Sequence, residues 1–101
     1  METISISSGR KFSLGAVHES VLIEGDVRVR LLCFEAGQRH HENTYDSDGI
    51  YQVLEGEALV RTADQSLRLG KGKLLKVPAG TAHSLENAGG GLLVVMISSR
   101  D

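Results

Sequence analysis

Apolar and polar residues alternate along this chain in short runs, and those runs predict strands. Ile4 and Ile6 alternate with Thr3, Ser5 and Ser7, the pattern of a short amino-terminal strand. With so little area to bury, such a strand suits a sheet edge or an arm laid on a partner subunit. Residues 9–18 read as loop, and His18 falls outside any constellation of polar groups. Val21–Ile23 is a brief apolar run, Gly25-Asp26 a turn, and Val27–Phe34 a clear strand. On that strand Val27, Val29, Leu31 and Cys33 share one face. Arg28, Arg30, Leu32 and Phe34 share the other, which turns apolar at its far end, as for a strand passing from solvent into a core. Ile50–Leu54, Ala58–Thr62, Ser66–Leu69, Leu74–Val77 and Thr81–Glu86 are further strands, separated by Gly- and Asp-containing turns and by the corner Pro78–Gly80. Leu92–Ile97 is apolar without alternation, so both of its faces should be buried. In so short a chain, another subunit is the expected cover for the second face. Many short strands with no amphipathic helix predict an all-β sandwich or barrel.

The chain has 101 residues, enough for one domain with one modest core. A net charge of −2 removes the electrostatic case for nucleic acid or an anionic membrane. The lone Cys33 cannot form an internal disulfide and reads as a small buried hydrophobe. No apolar leader follows the start and no run approaches a membrane span. The expectation is a soluble cytoplasmic protein.

The densest chemistry lies in Gly72–Asn87, GKLLKVPAGTAHSLEN. Pro78, the only proline, ends the apolar run because it lacks an N–H, and Gly80 permits the positive φ of a tight turn. His83 therefore begins the next strand close to a rigid corner. Asn87 is placed to hydrogen-bond backbone where that strand ends.

Gly72, Pro78, Gly80, His83 and Asn87 match the second motif of the cupins, and the segment resembles that family. The likeness extends over about residues 27–97 and implies a jelly-roll double-stranded β-helix, a small cupin barrel. The whole chain, 1–101, would then be one such domain, with 1–26 as an N-terminal strand or arm and 27–97 as the barrel core. A homodimer is also implied. In the cupins a first motif supplies two histidines and a glutamate which, with the later histidine, hold a divalent metal. Counting from Gly37 to Gly56, this chain keeps the frame but has Asn43 and Tyr45 at the histidine positions and Gly49 at the glutamate. Only His83 remains of the four ligands. Tight transition-metal sites need about three or four imidazole, carboxylate or thiolate donors, so the family site is degenerate.

Strand alternation places His41 with Asn43 and Tyr45 inside the barrel, facing His83, and turns His40 and Glu42 outward. Gly49 should leave extra room, and Tyr51, on the same face, should line it. The first functional reading is a small organic ligand bound in the barrel by His41, Asn43, Tyr45, Tyr51 and His83. The alternative is a metal-dependent enzyme of dioxygenase or isomerase type. It would hold iron, zinc, manganese or nickel on a relocated set, His41, Asp46, Asp48 and His83. A metal-free isomerase with His83 as base and Tyr45 as acid, and a purely structural protein, stay open beside these.

Overall fold

The computed structural model describes residues 1–100. Among them nine strands follow one another: β1 (His18–Ile23), β2 (Arg28–Phe34), β3 (Arg39–Asn43), β4 (Gly49–Glu55), β5 (Ala58–Arg61), β6 (Ser66–Leu69), β7 (Leu74–Val77), β8 (His83–Glu86) and β9 (Leu93–Ser99). They form a five-stranded sheet ordered β1-β2-β9-β4-β7 and a four-stranded sheet ordered β3-β8-β5-β6. All ladders between these strands are antiparallel. This is the expected all-β jelly roll.

The inner faces follow the sequence alternation. Leu32 and Phe34 of β2 meet Tyr51 and Val53 of β4, and Leu93, Val95 and Ile97 of β9, with Ala58, Val60, Leu69 and Leu85 closing the core from the smaller sheet. Leu31, Cys33 and Val94 point the opposite way, into a smaller outer cluster with Leu22. Cys33 is buried, and desolvation pushes its thiol pKa up.

One expectation fails at the amino terminus. Thr3–Ser7 is not a strand; Ile6–Gly9 is a 3₁₀ turn instead. Ser8 and Arg10 donate their backbone N–H to Ser5 and Ser7, and the Ser8 hydroxyl also donates to Ser5, so local bonds outcompete a ladder. The segment then lies on its own sheet. Phe12 packs on the outer cluster, and Gly9 sits so close to β1 that an added Cβ would come 2.7 Å from Leu22 Cδ2. Val94, on the outer face of β9, is thus covered by the chain's own arm.

The core is apolar at one end only. Towards Phe34, Leu93 and Ala58 it is hydrocarbon. Towards the other end the inward positions are Arg30, Tyr51, His83 and Asn43, on four different strands. That polar end holds the site.

Candidate functional site

The corner before β8 is pinned from outside. Gly80, at φ 80°, donates its N–H to the Tyr45 carbonyl at 2.9 Å, and Ala79 donates to Asp48 Oδ1 at 2.9 Å. Asn87 closes the other end of β8, donating Nδ2 to the carbonyls of Glu35 (3.0 Å) and Gly91 (2.8 Å). His83 is therefore held on a short strand fixed at both ends, with Tyr45 drawn in beside it at 5.7 Å between ring centroids.

His83 is 2% exposed and both of its ring nitrogens are engaged. Nδ1 lies 2.8 Å from the Thr81 carbonyl, which can only accept, so Nδ1 carries the proton. Nε2 then presents its lone pair inward, and the Tyr51 hydroxyl donates to it. Tyr51 is 1% exposed; burial first, and the neighbouring Tyr45 phenol second, push its pKa well above the ordinary tyrosine value. The phenol therefore stays protonated and remains a donor. Its ring edge lies 2.8 Å from where a Cβ on Gly49 would stand. Gly49 was expected to leave space; the Tyr51 ring fills it.

The β3–β8 register carries a second correction. His40 pairs with Leu85 and Asn43 with His83, so three steps on β3 match two on β8. The extra residue is a bulge at His41-Glu42. Alternation resets there, and His40 and Asn43, not His41 and Asn43, share the inner face. His40 is half-buried while His41 and Glu42 are exposed. Asn43 donates Nδ2 to the His41 carbonyl at 2.8 Å and to His40 Nδ1 at 3.0 Å. Burial lowers the His40 pKa; Glu19 opposes the shift, and His41, Arg30 and His83 reinforce it.

Arg30 is the residue that sequence reasoning left unassigned. Its position on the inward face of β2, two residues before Leu32, was the available signal. The side chain is 10% exposed. Nη1 donates to Glu19 Oε1 at 3.3 Å, and the guanidinium lies 4.8 Å from the Tyr45 ring centroid. Nε and Nη2 are buried without any hydrogen-bond partner. Each such orphaned donor costs about 1–3 kcal/mol.

Asn43, Tyr45, Tyr51 and His83 are thus brought together, with His40, Ser84 and Ile97, around a space too small for one water molecule. The open volume lies next door. β1 and β3 are edge strands of their sheets, and between them runs a slot of about 460 Å³ lined by Val17, Glu19, Gln38, Arg39, His40 and His41. His40 and His41 wall both spaces.

A divalent metal does not fit these residues. Among the described residues no three His, Cys, Asp or Glu side chains converge. Of the relocated set, His41 is exposed, Asp48 is turned to Ala79 and to Lys76 Nζ (3.6 Å), Asp46 is exposed, and His83 Nε2 is occupied. The same engagement leaves His83 no free nitrogen to act as a base towards Tyr45.

The family model described as "Cupin domain" matches residues 30–99. An uncharacterized protein of Streptomyces coelicolor is 27% identical over 78 residues, 77% of this chain and 74% of that protein. A crystal structure of a cupin superfamily protein from Desulfitobacterium hafniense superposes with a TM-score of 0.81 at 27% identity, covering 93% of this chain and 85% of the other. A protein of Thermus thermophilus shares the fold at a TM-score of 0.89 and 20% identity, over 98% and 96% of the two chains. No helix among the described residues is long and apolar enough to cross a membrane.

Proposed function

The chain belongs to the cupin family, and on that premise we propose that it is a metal-independent binding barrel for a small organic molecule. The observation that carries this reading is the Tyr51–His83 hydrogen bond. Where the family's metal would be held, the histidine lone pair meets a protonated phenol, and that phenol's ring fills the place of the missing glutamate side chain. The metal-dependent alternative asks for donors that do not converge. The ligand rests in the slot between β1 and β3, against Val17, Glu19 and Gln38, with His40 and His41 as the shared wall. Asn43, Tyr45, Tyr51 and His83 form the polar floor behind that wall. A cavity of a few hundred Å³ with a small number of directed polar groups has the usual make-up of a ligand site. A cytoplasmic homodimer belongs to the same reading.

Small-molecule fragment screening by amide-resolved NMR tests it. The expected result is a set of fragments that shift Val17, Gln38, His40 and His41 together. Binding confined to other surfaces would overturn the assignment.

A further inference from the structure

We infer that His40 sets the specificity of the slot, its Nε2–H donating to a carbonyl-type oxygen of the ligand. The molecules selected would carry an amide, ketone or carboxylate oxygen on an apolar body. The inference rests on the binding-barrel reading above and adds the chemical class.

The direction of this donor follows from a short chain of hydrogen bonds. Asn43 Nδ2 lies 2.8 Å from the His41 carbonyl, which can only accept, so the amide of Asn43 is turned with its NH2 towards His41. The same nitrogen lies 3.0 Å from His40 Nδ1, which must therefore accept as well. A neutral imidazole that accepts at Nδ1 carries its proton on Nε2. Burial, the chief of several causes, holds His40 below the ordinary histidine pKa and keeps the ring neutral at neutral pH. The tautomer is the opposite of that in His83, which is protonated at Nδ1 and whose Nε2 is closed off by Tyr51.

His40 Nε2–H, by contrast, is open. Among the described residues it has no hydrogen-bond partner, and the buried side-chain atoms left in that condition are only Nε and Nη2 of Arg30. Solvent therefore reaches His40 Nε2. His40 borders two spaces, and the inner one cannot hold a water molecule, so the open space before it is the slot.

The rest of the slot agrees with an acceptor on the ligand. The Gln38 amide is committed at both ends, Nε2 to the Ser13 carbonyl at 2.6 Å and Oε1 to the Glu35 N–H at 2.8 Å. Glu19 Oε1 accepts from Arg30. Arg39, exposed beside His40, is a second donor and can never accept. Ala16 and Val17 supply hydrocarbon on the β1 side, Val17 packing against the main core. A ligand oxygen satisfies the donors of β3, whereas an ammonium group would set donor against donor and is rejected.

The test uses the full-length chain and three probes of one shape, benzamide, benzoate and benzylammonium, each titrated at constant ionic strength. The readouts are the slot backbone amides and the His40 side-chain ¹⁵N resonances. The unliganded chain is expected to show His40 protonated at Nε2 and not at Nδ1 at neutral pH. Benzamide and benzoate should both move the Nε2–H resonance, and benzylammonium should bind at least about tenfold more weakly. Two variants separate this donor from a merely structural role. His40→Gln carries an amide nitrogen close to where Nε2 stood, while His40→Asn reaches only as far as Nδ1. Benzamide affinity should fall about tenfold in His40→Asn and be largely kept in His40→Gln. Protonation at Nδ1, full affinity in His40→Asn, or equal losses in both variants would overturn the inference and leave the binding barrel standing. Binding of benzoate without benzamide would also overturn it, since charge at Arg39 would then be the selecting feature. If no probe moves a slot amide although Nε2 carries the proton, the binding-barrel reading loses its support and this inference falls with it.

Discussion

The ring edge of Tyr51 lies 2.8 Å from the position a Cβ on Gly49 would take. The two residues are two apart on β4, so their side chains share the inner face, and only the absence of one lets the other lie flat. From there the phenol reaches His83 Nε2. Glycine at position 49, tyrosine at 51 and the histidine tautomer thus form one arrangement, and changing any of them changes the others. Gly49→Ala is expected to cost about 1–3 kcal/mol, because the buried ring cannot give way without strain. Chemical denaturation of Gly49→Ala, Tyr51→Ala and the double variant checks this. The prediction is a strongly non-additive cycle, the alanine at 49 costing little once the ring is gone. Additive losses would show that the two positions do not compete for the same space. The sequence displayed the frame of this arrangement, since the motif glycines, Pro78 and His83 could be counted. It did not display the contact itself, because a missing side chain reads as free space until the neighbour that fills it is located.

At the level of elements, the bulge in β3 decides which histidine enters the barrel. Alternation read from Asn43 backwards selects His41; the inserted residue selects His40. A bulge costs one ladder position and leaves no mark in the apolar pattern of so polar a strand, RHHEN, which explains why strand existence was legible here and strand facing was not. On β4 the expected and observed facings coincide, Tyr51 and Val53 both entering the main core on the side of Gly49. The inward His40 has a consequence for stability. Its native pKa lies below the ordinary value of 6.5, chiefly through burial. Above pH 6.5 it is neutral in both folded and unfolded chains and costs nothing. As pH falls below 6.5 the unfolded chain takes up a proton that the native site resists, so the unfolded state gains and native stability is lost. The stability gap between the wild-type chain and His40→Asn should therefore shrink, or turn in favour of the variant, between pH 8 and pH 5. Thermal melts at both pH values measure it. A gap that does not change with pH would place His40 in solvent.

Across the whole molecule, the jelly roll divides its interior into a hydrocarbon end and a polar end, and leaves a slot where two edge strands face one another without pairing. The fold class, the strand order along the chain and the pinned corner before His83 were readable from turn chemistry and periodicity. Arg30 was not, because an arginine on a strand that begins in solvent looks like a surface residue, and only the opposing sheet shows that it is buried. The arm was misread for a related reason: serines that could have alternated in a ladder instead satisfied the backbone locally. The structure that results retains a cupin frame in which, among the described residues, the buried side-chain polar atoms have hydrogen-bond partners apart from Nε and Nη2 of Arg30.

The central claim is that the Tyr51–His83 pair stands in place of a metal centre, and elemental analysis of the purified, untagged chain tests it most directly. The chain would be expressed in medium replete with iron, zinc, manganese and nickel, beside a His83→Ala variant. The account predicts far less than one equivalent of any of these metals per chain, with no difference between the two proteins. Close to one equivalent in the native chain, lost in His83→Ala, would contradict it and return the barrel to metal chemistry.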